Sequence, residues 1–218
     1  AANTTTGDGP VRFLVADIDG VNGLDVVVSN TQSGDLSVLL HDGAGGFSAE
    51  SRLTAGTNPN FVTVADVDGQ NGFDLITANA GSNDVSVLLN NGNGTFAAAV
   101  HTGVETSPVL VAVLDFDGNS TLDLLSLNSG SGNVTFLSGD GAGGFTRTQV
   151  YATGASPVQS VTADLDGNGT DEFLVANQDG DSFAIVQHTV ADELLVSDGS
   201  QYHIVGTSTG QILQSVNL

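Results

Sequence analysis

The sequence predicts an all-β fold built from repeated four-stranded sheets. First, an acidic nonapeptide returns every 49 residues, with its first Asp at Asp17, Asp66, Asp115 and Asp164. Second, the apolar runs are about 5–8 residues long, which is typical of strands and too short for ordinary amphipathic helices. Third, Gly is frequent (29 residues) and Pro is scarce (4), as expected for many tight turns between short strands.

Three other residue types keep the same 49-residue step. They are prolines, asparagines that end the second apolar run, and phenylalanines that close a Gly-rich turn: Pro10, Pro59, Pro108 and Pro157; Asn30, Asn79, Asn128 and Asn177; Phe47, Phe96 and Phe145. Each unit contains four predicted strands, which in the first unit are VRFLVAD, DVVVSNT, DLSVLLHD and FSAESRLTA. The second and third have consecutive apolar residues, as strands covered on both faces do. Because radially stacked sheets bury both faces, units of this length predict a β-propeller.

The 218 residues are expected to form one domain with blades at about 10–58, 59–107, 108–156 and 157–190. The 49-residue register is lost after residue 188, where VADELLVSDG, QYHIVGTST and QILQSVNL predict three strands of a degenerate fifth blade at 191–218. Residues 2–10 align by the same step with 51–59, so segment 2–7 is predicted to complete that fifth blade. A five-bladed ring is the prediction, and a fragment of a larger propeller is the alternative.

The composition excludes several kinds of partner. The chain has a formal charge of -22, no Lys, and only Arg12, Arg52 and Arg147 as permanent cations. Nucleic acid and anionic membrane surfaces are therefore poor partners, because both require clustered cationic side chains. No stretch is long and apolar enough to be inserted into a membrane. Without Cys the chain has neither disulfides nor thiolate metal sites.

The acidic nonapeptides DIDGVNGLD, DVDGQNGFD, DFDGNSTLD and DLDGNGTDE each concentrate carboxylates in one turn. Their mutual repulsion at short range is several kcal/mol, on the order of the Coulomb energy at intermediate dielectric. A hard dication that prefers oxygen ligands reverses this repulsion, which predicts Ca²⁺. Zinc and copper would favour His or Cys, which these segments lack. An EF-hand would need a Glu at position 12, where the chain has Val28, Thr77, Ser126 and Val175. Asp/Gly-rich turns without metal remain the alternative.

The units resemble the FG-GAP/VCBS repeats of calcium-binding β-propellers, which also occur in the head of integrin α chains. The resemblance covers about residues 8–190 and rests on the acidic turn, the apolar strand after it and the Gly-Gly-Phe-type turn. It implies up to four Ca²⁺, each held by side chains at loop positions 1, 3, 5 and 9 and by the carbonyl at position 7. The implied ligands are Asp17, Asp19, Val21, Gly23 and Asp25; Asp66, Asp68, Gln70, Gly72 and Asp74; Asp115, Asp117, Asn119, Thr121 and Asp123; and Asp164, Asp166, Asn168, Thr170 and Glu172.

The first loop departs from the family pattern, because Val21 at position 5 can offer only its backbone oxygen. We therefore expect the first site to be the weakest of the four, or to be completed by water. Gly at position 4 permits the sharp reversal, and Asn22 and Asn71 at position 6 are expected to be left-handed.

The sequence contains little that indicates catalysis. It has no GxSxG elbow, and the loop carboxylates would be engaged by metal rather than free for acid–base chemistry. His41 and His188 occupy equivalent repeat positions, and Asp35, Asp84 and Asn133 are interpreted as turn formers. We expect no catalytic residue, no organic cofactor and no enzymatic activity.

The expected function is a secreted, extracellular or cell-surface binding or adhesion module that recognises a glycan or a protein. The alternatives are a structural spacer of a large surface protein and a polysaccharide-acting enzyme domain. The absence of Trp weakens the case for a sugar-stacking platform, although calcium itself can coordinate sugar hydroxyls.

Overall fold

A computed structural model describes residues 4–187 except 166 and 168, together with the backbone of three later strands within 193–217. The described residues lie in strands, turns, bends and connecting segments, and no helix occurs among them. Accordingly, the described part of the chain has no helix that is long and apolar enough to cross a membrane.

The strands form five antiparallel sheets that follow one another in sequence. The first three sheets have four strands each: β1 (Pro10–Ala16), β2 (Asp25–Asn30), β3 (Asp35–Leu39) and β4 (Ser51–Thr54); β5 (Pro59–Ala65), β6 (Asp74–Asn79), β7 (Asp84–Leu88) and β8 (Val100–Gly103); β9 (Pro108–Leu114), β10 (Asp123–Asn128), β11 (Asn133–Gly139) and β12 (Phe145–Ala152). The last two sheets have three strands each: β13 (Pro157–Ala163), β14 (Glu172–Asn177) and β15 (Ser182–Val186); β16 (Glu193–Ser197), β17 (Gln201–Gly206) and β18 (Gln211–Asn217). The all-β class and the four-stranded sheets of the first three units are confirmed.

In each of the first four sheets the second strand is the most deeply buried. All six residues of β6 and of β10 are buried, polar residues included. Each of these strands pairs on both sides within its own sheet and is covered on both faces. This arrangement explains the consecutive apolar residues, because a strand with no solvent-facing side does not alternate.

Among the described side chains, the hydrophobic core consists of three clusters, one at each junction between consecutive sheets of the first four. The buried members of the first are Ala16, Ile18, Val27, Leu36, Val38, Ala55, Val62, Leu75 and Leu88. Those of the second are Val67, Ile76, Ala78, Val85, Val87, Val104, Val111, Leu124 and Leu137. Those of the third are Phe116, Leu125, Leu127, Val134, Phe136, Tyr151, Phe173, Val175, Ala184 and Val186. Each sheet is therefore stabilised mainly by its neighbour in the array.

The first sheet has a bare apolar face on β1, which we call the leading face: Val11, Phe13 and Val15. Phe13 is 71% exposed, whereas Val62 and Val111 at the equivalent positions of the next two sheets are 3% and 2% exposed. The difference arises because Val62 and Val111 belong to the clusters formed with the preceding sheet. The leading face thus has the chemistry of a sheet-to-sheet interface.

The predicted closure of the array stays a prediction, since residues 1–3 lie outside the described part of the chain. Segment 2–7 was predicted to be a strand of the fifth blade, but its described residues, 4–7, are not in a strand. The Gly7 amide instead donates to Ser37 Oγ (3.1 Å), and the Asp8 carbonyl accepts the Gln32 amide (3.1 Å). These bonds hold the segment on the first sheet. In the fourth sheet three strands are present, and the strand that follows, β16, pairs with β17 instead of β15.

Candidate metal centres

The four acidic nonapeptides connect the first and second strands of successive sheets, and we call them the acidic loops: 17–25, 66–74, 115–123 and 164–172. The reversal at position 4 is made by Gly in the left-handed region, with φ of 73° at Gly20 and 70° at Gly69. Asn22 and Asn71 at position 6 are also left-handed (φ 65° and 60°), which confirms that expectation. Left-handed residues at both positions fold the loop back so that its carboxylates converge.

Three of the loops bring three carboxylates together. In each, one oxygen from each Asp lies within 4.8 Å of the other two; the triads are Asp17, Asp19 and Asp25; Asp66, Asp68 and Asp74; and Asp115, Asp117 and Asp123. Carboxylate oxygens are hard donors, and no His or Cys belongs to these groups, so the donor chemistry fits Ca²⁺. The described residues therefore contain three groups that could hold a metal ion.

The carboxylates at positions 1 and 3 are oriented by amides of their own loop. Asp17 Oδ1 accepts the Gly20 amide and Asp19 Oδ1 accepts the Val21 amide, both at 2.8 Å. In the second loop the Gln70 amide donates to Asp66 (3.1 Å) and Asp68 (2.8 Å). These bonds fix the orientation of the carboxylates within each loop.

The carboxylate at position 9 is fully buried and holds two distant backbone amides. Asp25 Oδ2 accepts the Ile18 amide (2.7 Å), while its Oδ1 accepts the His41 amide (2.8 Å) from the β3–β4 connection. The same pair of bonds recurs at Asp74, with the amides of Val67 and Asn90, and at Asp123, with the amides of Phe116 and Gly139. The position-9 residue thus ties its loop to the neighbouring connection, a structural role beyond metal binding.

Burial raises the pKa of Asp74 and of Asp123 above the ordinary value of 3.8. Removal from water is the largest cause, and the two backbone amides on each carboxylate oppose it. The carboxylates of Asp68 and Asp66 raise the pKa of Asp74 further, as Asp117 does for Asp123. A bound dication would offset this accumulation of negative charge.

The other predicted calcium ligands lie outside the three carboxylate triads. Val21, Gly23, Gln70, Gly72, Asn119 and Thr121 lie in the same three loops, and their part in coordination stays a prediction. The Asn119 side-chain oxygen accepts the amide (2.7 Å) and the hydroxyl of Thr121. In the fourth loop Asp166 and Asn168 lie outside the described residues. Glu172 there resembles the other position-9 residues, since its Oε2 accepts the Leu165 amide (2.7 Å).

At the other end of the sheets, the predicted turn formers belong to buried polar clusters. Asn79 Nδ2 donates to Asp84 Oδ1 and to Ser86 Oγ, both at 2.6 Å. Asn30 makes the equivalent bonds to Asp35 and Ser37, and Asn128 makes them to Asn133 and Thr135. Asp35, Asp84 and Asn133 therefore start the third strand of their sheets and also accept a hydrogen bond from the Asn that ends the second strand.

One of these clusters contains Ser, His and Asp but lacks the geometry of a hydrolase triad. Ser86 Oγ lies 2.9 Å from His101 Nδ1, and Asp84 Oδ1 lies 3.4 Å from the same nitrogen. A triad requires the acid and the nucleophile on opposite nitrogens of the imidazole. Ser86 is also fully buried, so its hydroxyl does not face solvent.

A cavity of about 570 Å³ opens between the first and second sheets, at the end opposite the acidic loops. Its lining is mostly polar and includes Gln32, Ser33, Thr57, Asn58, Ser82 and His101. No Phe or Tyr contributes to it. The lining offers several hydroxyl and amide groups for hydrogen bonding to a ligand.

Comparison with protein families gives one match, to the FG-GAP-like repeat, at residues 70–126 and 115–175. These residues include the third and fourth acidic loops in full and the second loop from residue 70 onward. No curated protein sequence matches the chain at a significant level.

Several solved structures are similar in fold. BBS1N, in its complex with ARL6DN, matches 97% of this chain and 70% of its own, at 13% identity and a TM-score of 0.58. A lectin from Agrocybe aegerita that recognises non-reducing terminal N-acetylglucosamine matches 94% of this chain and 65% of its own, at 18% identity and a TM-score of 0.52. The Photorhabdus luminescens Tc holotoxin pore matches 75% of this chain at 20% identity and a TM-score of 0.48, and the match spans 8% of the toxin chain. At these identities the likeness concerns the fold alone.

Proposed function

The chain carries FG-GAP-like repeats, and from that premise we propose that it is a non-enzymatic, calcium-stabilised binding module for a glycan or protein ligand. The observation that carries the proposal is the repetition of one carboxylate triad in three successive loops. A single acidic turn is common in proteins without metal, but three in one register, each converging within 4.8 Å, are typical of a selected function.

In this proposal the carboxylates of each triad hold one Ca²⁺, together with the position-5 and position-7 groups of the same loop. Calcium supplies the positive charge that offsets the repulsion within the loop, and its flexible oxygen coordination suits loops of different composition. Because it binds the folded chain, it adds stability by mass action. Its function here is structural: it holds the loop through which the first strand of a sheet turns into the second.

We propose that the sheets are blades of a five-bladed β-propeller, with the sheet β16–β18 as the last blade. Packing of the first four sheets on one another supports this arrangement, as does the likeness in fold to BBS1N. The leading face supports closure as well, because the equivalent surface is buried at the first two junctions, where Val62 and Val111 lie. A longer propeller, with further repeats against the same face, is the alternative.

The cavity between the first and second sheets is the best candidate for ligand binding. Its hydroxyl and amide groups suit the alternating donors and acceptors of sugar hydroxyls, and the Agrocybe aegerita lectin provides a precedent for sugar recognition on a similar fold. The Ser86–His101–Asp84 geometry gives no support to hydrolysis. The formal charge of -22 favours neutral or cationic ligands over nucleic acid.

A secreted, extracellular or cell-surface location follows from the proposed calcium chemistry. Extracellular calcium modules bind at about 10⁻⁴–10⁻³ M, a range suited to calcium concentrations outside cells. In the cytosol such loops would be empty and their carboxylate repulsion uncompensated.

Glycan-array and calorimetric binding, each performed with calcium and with EDTA, test the proposal. Thr57→Trp, which fills the cavity, should abolish binding of any glycan found. Thr106→Trp is the matched control, since Thr106 is the equivalent exposed residue at the next junction. Loss of binding in both variants or in neither would exclude this cavity, and absence of any ligand would favour the structural spacer.

A further inference from the structure

We propose that Asn90 couples the first two acidic loops, so that calcium binding at either one increases the affinity of the other. The proposal rests on the proposed function, because it takes the acidic loops as calcium sites. It assigns a positioning function to a residue outside every loop.

Asn90 lies in the β7–β8 connection and is 2% exposed. Its backbone amide donates to Asp74 Oδ1 at 2.8 Å. Asp74 is the buried position-9 carboxylate of the second loop, so the backbone of Asn90 is fixed by that loop.

The Asn90 side chain then connects the two loops. Its Nδ2 donates to the Ile18 carbonyl (2.8 Å) and to the Phe73 carbonyl (2.9 Å). Ile18 lies between Asp17 and Asp19 of the first loop, and Phe73 directly precedes Asp74. The Asn90 oxygen accepts the Gly92 amide (2.8 Å), so all of its polar groups have defined partners and the side chain has one orientation.

Ile18 is consequently held from two sides. Its amide donates to Asp25 within the first loop, and its carbonyl accepts from Asn90 of the next sheet. The peptide group between Ile18 and Asp19 is thereby oriented by the second sheet. Ordering the second loop through Asp74 reduces the conformational freedom that the first loop must lose when it binds, and linkage makes this effect reciprocal.

The junction between the second and third sheets provides a natural control. The residue equivalent to Asn90 in the third sheet is Gly139, whose amide still donates to the position-9 Asp123 (2.9 Å). A Cβ at Gly139 would lie 2.1 Å from the Leu122 carbonyl oxygen, so no side chain fits there. The third sheet thus cannot reach the second loop in the way that Asn90 reaches the first, and loops two and three should bind independently.

Calcium titrations of the full chain, monitored by NMR of its backbone amides, test the coupling. The amide signals of Gly20, Gly69 and Gly118 report calcium binding to the first, second and third loops separately. Asp68→Asn weakens the second loop. It should lower the calcium affinity reported by Gly20 about 5-fold or more, a typical allosteric coupling, and leave that reported by Gly118 unchanged. In the background of Asn90→Ala the same Asp68→Asn change should no longer affect Gly20.

The outcomes separate the two proposals. If none of the reporters responds to calcium, the proposed function fails. If all three respond but Gly20 is indifferent to Asp68→Asn, calcium binding stands and the coupling is wrong. Should Asn90→Ala not fold, Asn90→His introduces the residue of the equivalent first-sheet position, His41, and the Asp68→Asn comparison in the unmodified chain remains decisive by itself.

Discussion

Arg52 on β4 forms an ion pair with Asp35 on β3, and the same two repeat positions in the next sheet hold His101 and Asp84, 3.4 Å apart. In the third sheet these positions are Val150 and Asn133, so the basic side chain is absent where the acid is absent. A carboxylate at this position is thus accompanied by a basic side chain. The reason is local: the Asp35 side chain is only 15% exposed, and it also accepts a bond from the buried Asn30.

This relationship predicts that Arg52→Val lowers the free energy of unfolding by about 1 kcal/mol, since it leaves the mostly buried Asp35 carboxylate without its cation. Combining it with Asp35→Asn reproduces the third sheet and should recover most of that loss. Urea unfolding of the two single variants and the double variant measures the interaction. Strictly additive losses would contradict the dependence of the cation on the acid.

Calcium should raise the thermal unfolding midpoint. At a free concentration of ten to a hundred times Kd, each occupied loop adds about 1–3 kcal/mol to the free energy of unfolding. Scanning calorimetry in calcium and in EDTA measures the change, with magnesium as a control for ionic strength and divalent charge. An unchanged midpoint would argue against the carboxylate triads as calcium sites.

The two kinds of loop carboxylate should respond differently to substitution. Asp123→Ala leaves the Phe116 and Gly139 amides unpaired, so it should lower the free energy of unfolding by about 2 kcal/mol or more even in EDTA. Asp117→Ala removes a partly exposed carboxylate, and its effect should be seen mainly in calcium. Urea unfolding of both variants with calcium and with EDTA makes the comparison. Equal effects of Asp123→Ala and Asp117→Ala in EDTA would show that position 9 has no separate structural role.

The Gly-rich turns should have carboxyl groups that are unusually acidic. The amides of Gly46 and Ala44 lower the pKa of Asp42 from 3.8, and those of Ala142 and Gly144 do the same for Asp140. Because the folded pKa is depressed, the stabilisation is present above pH 3.8 and is lost as the pH falls through the lower folded value. Carboxyl ¹³C titration by NMR measures both groups. Asp42→Asn introduces the residue of the second sheet, Asn91, and should remove this acid dependence; a titration at or above 3.8 would contradict the assignment.

The repeat step was sufficient to predict the strands and the acidic loops, because both depend on residues close together in sequence. Asp17, Asp19 and Asp25 are within one turn, so their convergence follows from the Gly and Asn that fold it. The amides that hold the position-9 carboxylates could not be predicted in this way. His41 is 16 residues from Asp25, and it donates through its backbone, which carries no residue signature.

Differences among the repeats were harder to interpret from sequence than their common features. Asn90 and Gly139 occupy one repeat position, yet only Asn90 reaches the Ile18 carbonyl in the preceding sheet. The prediction that segment 2–7 completes the fifth blade stays a prediction, because residues 2 and 3 lie outside the described part of the chain. Contacts between units depend on how the sheets pack, and periodicity alone does not describe that packing.

Closure of the proposed ring makes a specific prediction for the leading face. If the last sheet covers β1, Phe13 is buried in solution, and Phe13→Ser should lower the free energy of unfolding by about 3 kcal/mol, as large-to-small changes at buried Phe do. Leu24, which is 59% exposed near the end of the first acidic loop, is the matched control. Leu24→Ser should change the free energy of unfolding by less than about 0.5 kcal/mol. Urea unfolding at several protein concentrations distinguishes closure from association between copies, because only association makes the midpoint depend on concentration. A Phe13→Ser variant as stable as the Leu24→Ser control would show that the leading face is uncovered in solution and that the five sheets do not close into a ring.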